Sequence, residues 1–193
     1  MEKRKNVLAA ALFVLLAVLV VVFFRTSGRE QIRRSKDVSS SSASVQNTAE
    51  KQMKTVSLFF LREEDGLLVP EEREIAADAS LVREAKEVIS ELIKGSRGDL
   101  VSPLPPETKL GQLFITKDGT AYVDVSKDIV DYHPSGTAAE ISTVYTIVNS
   151  LTYNFKPIKK VFILIEGEER ETLGGHISLD RPFLPDYSLV AKR

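Results

Sequence analysis

The sequence predicts an α+β fold: a two-layer sandwich in which a mixed β-sheet carries two helices on one face, in the order β-α-ββ-α-ββ, after an N-terminal transmembrane helix. Three observations predict it. Residues 7–24 are an unbroken apolar run. Two segments with apolar residues at helical spacing, 80–94 and 137–155, alternate with β-branched and aromatic runs. One pair of those runs is joined by Asp118-Gly119, a tight-turn signal.

The chain divides into an anchor at 1–25, a flexible Ser-rich tether at 26–53 and one domain at 54–190. As a helix, 7–24 is about 27 Å long, close to the hydrocarbon thickness of a bilayer. A cleaved signal peptide has a shorter apolar core and small residues at its cleavage site, whereas Val20, Val21, Val22, Phe23, Phe24 and Arg25 close this one. A retained signal anchor is the expectation, with the short tail bearing Lys3, Arg4 and Lys5 in the cytoplasm and the domain outside. Arg25, Arg29, Arg33, Arg34 and Lys36 lie on the other flank, so the positive-inside rule alone does not choose the orientation. The tether has too few large apolar groups to offset the entropy of ordering it.

Within the domain, 54–61 reads as a first strand that ends in the charged turn 62–66. Residues 67–70 make a short extended piece and 73–75 an edge strand. Leu81, Val82, Ala85, Val88, Ile89, Leu92 and Ile93 mark one face of a helix capped by Ser80 and stopped by Gly95. Pro103, Pro105 and Pro106 exclude helix from 100–108. Segments 109–116 and 120–125 form a hairpin. Thr137 and Glu140 fit a capping box that opens the second helix, whose apolar face is Ile141, Val144, Tyr145, Val148, Leu151 and Phe155. The run 159–165 suits a central strand, and Glu166-Gly167 turns it into a partner strand at 168–173.

Charge excludes one class of partner. Residues 1–52 hold nine Lys and Arg against four Asp and Glu, while 53–193 hold 17 against 23. An acidic domain without a basic stripe is poorly suited to neutralising phosphates, so nucleic acid is not an expected partner. The chain has no cysteine, which removes disulfides, thiolate nucleophiles, Cys-ligated zinc and lipid attachment at an N-terminal cysteine.

The domain resembles the GerMN family, a sporulation and spore-germination domain of bacterial envelope proteins. The resemblance spans about 56–182 and rests on 104–110, on 119–126, on His133-Pro134-Ser135-Gly136 with Glu140, and on 173–179 with Gly174-Gly175-His176. It implies an extracytoplasmic, non-catalytic domain, often membrane-anchored and related in shape to ring-building modules; members also occur beside peptidoglycan-active domains. This chain has no lipoprotein cysteine and only one copy of the domain.

Two sets of residues compete as the working surface. A binding or assembly module would use a sheet edge or the rigid loop of Pro105 and Pro106. An envelope hydrolase or metal-dependent enzyme would be built around Asp124, His133, Glu140 and His176, although His133 and His176, the only histidines, have no ligand-like spacing. Beside Pro134 and a helix start, His133 reads as a loop-fixing residue. Ser135 lacks a nucleophile elbow, and Gly174-Gly175 serves a tight turn, having none of the pattern of a phosphate loop. The expected partners are a cell-envelope protein or peptidoglycan, with the membrane held through the N-terminal helix and no cofactor. A homo-oligomer, ring or filament, is a third expectation and rests on the resemblance alone.

Overall fold

A computed structural model describes residues 52–192. The anchor expected at 1–25 and the tether through residue 51 lie outside the described residues. Among the described residues no helix is long and apolar enough to cross a membrane.

Strand β1 (Met53–Arg62) folds back onto strand β2 (Leu67–Ala76) through a turn closed by the Arg62–Asp65 ion pair at 2.6 Å. The extended piece and edge strand expected at 67–75 are one ten-residue strand in full register with β1, and Pro70 sits on its edge opposite Phe59. Helix α1 (Leu81–Lys94) follows. The Ser80 hydroxyl accepts from the Arg83 N–H at 3.4 Å, and Gly95, at φ 85°, ends the helix by donating to the Leu92 carbonyl. Buried Arg73 of β2 donates to Glu91 of α1 at 2.8 Å, to Glu71, and to the Gly95 carbonyl at 3.0 Å, so one guanidinium ties strand to helix.

Strands β3 (Leu110–Ile115) and β4 (Thr120–Val125) form the expected hairpin. Asp118 accepts from the hydroxyls of Thr116 and Thr120 in its turn, and Gly119 supplies φ 87°. A short helix α2 (Asp128–Asp131) and the long helix α3 (Thr137–Asn154) carry the chain to β5 (Lys160–Ile165), which pairs parallel with β4.

The α+β class with mixed pairing holds, but the strands form two sheets, β1-β2 and β3-β4-β5, instead of one. Helix α3 explains the separation. Its Ser150 hydroxyl accepts from the Phe59 N–H at 3.0 Å, and Asn154 exchanges two hydrogen bonds with the Ser57 backbone at 2.9 and 2.7 Å. Side chains of a helix thus occupy the edge of β1 where a neighbouring strand would pair.

The partner strand expected at 168–173 is absent. Glu166 and Gly167, both at positive φ, turn the chain, but a single bridge, Ile165 with Glu168, follows. Glu168, Glu169, Arg170 and Glu171 offer no alternating apolar face, and the other end of the β5 edge is taken by Phe183, which exchanges two backbone bonds with Val161. The core joins Leu58 and Phe60 of β1, Val88 and Leu92 of α1, Val123 of β4, Ile147 and Leu151 of α3, and Ile163 of β5. On the opposite face of the three-stranded sheet Phe114, Tyr122 and Phe162 stack in a row, with ring centres 4.6 and 5.4 Å apart.

Candidate functional site

Helix α3 starts without the expected capping box. Gly136 is the N-cap, Thr137 is already helical, and the carboxylate of Glu140 turns away from the helix start. That carboxylate is 1% exposed and meets the 174–177 loop. Its Oε1 lies 2.7 Å from Nδ1 of His176, and its Oε2 accepts the backbone N–H groups of His176 at 3.2 Å and Ile177 at 2.8 Å. The loop offers several donors where a capping box offers one, so the buried charge goes to the loop.

Burial alone would raise the pKa of Glu140. The His176 hydrogen bond and the N–H groups of Ile177, Gly174 and His176 outweigh it and hold the carboxyl below its ordinary value. An ionised carboxylate only accepts, so Nδ1 of His176 donates and the proton position on the ring is fixed. Nε2 has no hydrogen-bond partner among the described residues, and the ring is 46% exposed. Gly174 is set by close approach, because a Cβ there would stand 2.8 Å from Glu140 Oε1. Gly175, at φ 106°, occupies a backbone region that favours glycine.

Beside this loop, α3 and the 177–189 segment border an open groove of about 910 Å³. Ile141, Tyr145 and Phe183 line it, the two rings meeting edge to face with centres 6.1 Å apart. His176, Arg181 and Asp186 also line it. Burial raises the pKa of the Tyr145 hydroxyl, Asp186 adds to the rise and Arg181 opposes it. Two latches hold the 176–186 wall to α3. Glu140 is one; Asn149 is the other, donating to the Asp186 carbonyl at 2.9 Å and accepting from its N–H at 3.1 Å.

The remaining candidates are tied elsewhere. Asp124 accepts from the Gly167 N–H at 2.6 Å and reaches the Gln112 N–H at 3.5 Å, passing over Gly111, where any side chain would collide with it. It joins the bulge in β3 to the turn after β5. His133 bonds the Pro134 carbonyl through Nδ1 at 2.6 Å and Thr143 through Nε2 at 2.7 Å, and Thr143 donates to the Pro103 carbonyl at 2.8 Å. The chain of contacts fixes the proline loop to α3. In that loop Pro103, Leu104 and Pro105 are buried, while Pro106 and Glu107 stand at the surface. The structure therefore unites Glu140, Gly174, Gly175 and His176, and no hydrogen bond links them to Asp124 or His133.

Sequence reasoning treated Tyr145 as core and did not read Arg181, Phe183 or Asp186 at all. The available signal was Pro182 and Pro185 bracketing Phe183 and Leu184, a stiff apolar segment following a glycine turn.

An α+β domain with two small sheets, a buried helix and a glycine loop latched by an internal glutamate is the class this geometry defines. The chain belongs to the family described as Germane, sporulation and spore germination, whose profile matches residues 57–171, more than half of its length. Glu140 lies inside the matched region; His176 and most of the groove wall follow it. Among solved structures, the chain is similar to a protein from Clostridium perfringens described as a lipoprotein, with 26% identity over 72% of this chain and 93% of that one, and a TM-score of 0.51. It is also similar to the tandem GerMN domains of the sporulation protein GerM from Bacillus subtilis, with 25% identity and a TM-score of 0.56 over 68% of this chain. There it spans 46% of the tandem chain. The first GerMN domain of the same protein shares the fold, at 24% identity and a TM-score of 0.51, over 67% of this chain and 97% of that one. No curated protein matches the chain.

Proposed function

We propose that this chain is a membrane-anchored, extracytoplasmic and non-catalytic binding module of the bacterial cell envelope, working in a sporulation- or germination-type assembly. The observation that carries the reading is the state of Glu140. The most deeply placed acid of the candidate set has its oxygens committed to His176 and to the loop backbone, so it holds a surface in shape and has no oxygen turned to a substrate. Asp124 and His133 are likewise engaged in joining elements.

Anchoring rests on the apolar run at 7–24, and the extracytoplasmic side on the shortness of the tail before it and the bulk of the domain after it, the arrangement of a signal anchor. The similarity to a lipoprotein from Clostridium perfringens supports the same compartment by a different means of attachment, since this chain has no cysteine. The partner is an envelope protein or peptidoglycan.

Protease treatment of intact spheroplasts, with carbonate extraction of their membranes, tests the placement. The full chain should stay in the extracted membrane and lose its domain to external protease, whereas deletion of 7–24 should abolish membrane retention. A domain protected until the spheroplasts are lysed overturns the placement.

A further inference from the structure

We propose that the groove between α3 and the 177–189 segment binds a short extended peptide segment of a partner, carrying a carboxylate beside an apolar or aromatic side chain. The proposal rests on the reading of the domain as a binding module. Its length follows from the two latches. Glu140 and Asn149 are nine residues apart on one helix, about 13 Å at ~1.5 Å per residue, which is the reach of about four extended residues at ~3.3 Å each.

The side-chain preference follows from the lining. Ile141, Tyr145 and Phe183 give an apolar surface with two rings already packed edge to face, and Leu184 stands beside it 65% exposed. An apolar side chain seated there leaves water without rearranging the rings.

The carboxylate preference follows from charge. Arg181 has no ion-pair or hydrogen-bond partner among the described residues, in a domain where acids outnumber bases. Asp186, the acid of the groove, is turned onto Ser188, accepting from its N–H at 2.9 Å and its hydroxyl at 2.5 Å. His176 has Nδ1 held by Glu140 and Nε2 unengaged. An uncommitted guanidinium complements a carboxylate and disfavours a cation, while Nε2 of His176, with the ring proton held on Nδ1, is an acceptor suited to a peptide N–H. A neutral glycan brings neither the charge nor the apolar side chain.

The test uses the full chain in lipid nanodiscs and a positional-scanning library of N-acetylated tetrapeptides in free-acid and amidated forms, with chitotetraose as the neutral comparison. Retained peptides should pair Leu, Phe or Tyr with a carboxylate, and neutralising that carboxylate should weaken retention about ten- to a hundredfold, as loss of a charge-assisted hydrogen bond does. Arg181→Gln should weaken the acidic peptides equally, while Arg97→Gln, which touches Glu91 far from the groove lining, should not. No retention, equal retention of peptides in which every carboxylate is replaced by its amide (C-terminal amide, Asp→Asn and Glu→Gln), retention of chitotetraose alone, or acidic retention that survives Arg181→Gln overturns the proposal. Capture of an envelope component that is indifferent to Arg181→Gln would leave the binding-module reading standing and remove only the groove.

Discussion

Glu140 Oε1 sits 2.7 Å from His176 Nδ1, and the other oxygen of the same carboxylate holds the N–H groups of His176 and Ile177, so one buried charge shapes a whole surface loop. The relationship joins α3, in the middle of the core, to the lip of the groove. It makes the stability of the domain and the shape of its candidate binding surface a single property.

Glu140→Gln should destabilise the domain by about 1–3 kcal/mol, because a neutral amide cannot satisfy the donors that the carboxylate accepts. The wild-type dependence on pH has a definite sign. The folded carboxyl titrates below its unfolded value, so its contribution is complete above the unfolded pKa and is lost as pH falls through the folded one. Urea unfolding followed between neutral pH and about pH 3 should show this loss in the wild type and a flatter profile in Glu140→Gln.

Gly174→Ala should cost about 1–3 kcal/mol by overpacking, because its Cβ would press on the buried Glu140 carboxylate. The cost should shrink in a Glu140→Ala background, where the obstacle is gone. A double-mutant cycle measured by urea unfolding checks the coupling, and additive effects would show that the contact is not the cause.

Arg73→Ala should cost about 3–5 kcal/mol, since it strips a buried partner from Glu91 and Glu71 and opens the junction of β2 with α1. Burial acts to raise both carboxyls, and hydrogen bonds from Arg73, from Lys94 to Glu91 and from Ser96 to Glu71 pull them below their ordinary values. The drop in thermal midpoint should therefore exceed that of Arg83→Ala, whose ion pair with Asp78 is exposed.

Ser150→Ala combined with Asn154→Ala should cost about 1–3 kcal/mol for each backbone group of β1 left unpaired. The released edge should also self-associate, because unpaired strand edges template further pairing. Sedimentation of the double variant beside the wild type reads this directly.

The two long helices and the Asp118-Gly119 hairpin were legible because each rests on a local rule, helical spacing between Ser80 and Gly95 and Asp-Gly between two β runs, whereas the pairing of β1 with a continuous β2 was read only as an extended piece and an edge strand. The split into two sheets was not legible, since it depends on Ser150 and Asn154, small polar residues of α3 that happen to reach Ser57 and Phe59 about ninety residues earlier. The missing last strand reflects the lack of an apolar face at 168–171 and the backbone pairing of Phe183 with Val161 on the β5 edge. Of the candidate site, Glu140 and His176 were visible as titratable residues, but their pairing was not. The sequence pattern of a capping box at Thr137 and Glu140 was satisfied in form, and a richer set of donors at 174–177 won the carboxylate. Pro105 was read as a surface feature because prolines stiffen loops, whereas burial beside Leu104 makes it part of the packing.

The most direct test of the central claim incubates the full chain with solubilised envelopes, measures saturable retention, and compares the mass of the retained component before and after incubation. The account predicts a component held in saturable amount and released with its mass unchanged. A component released with an altered mass, the alteration disappearing in Glu140→Gln or His176→Gln, would contradict it and identify the Glu140–His176 pair as chemical machinery.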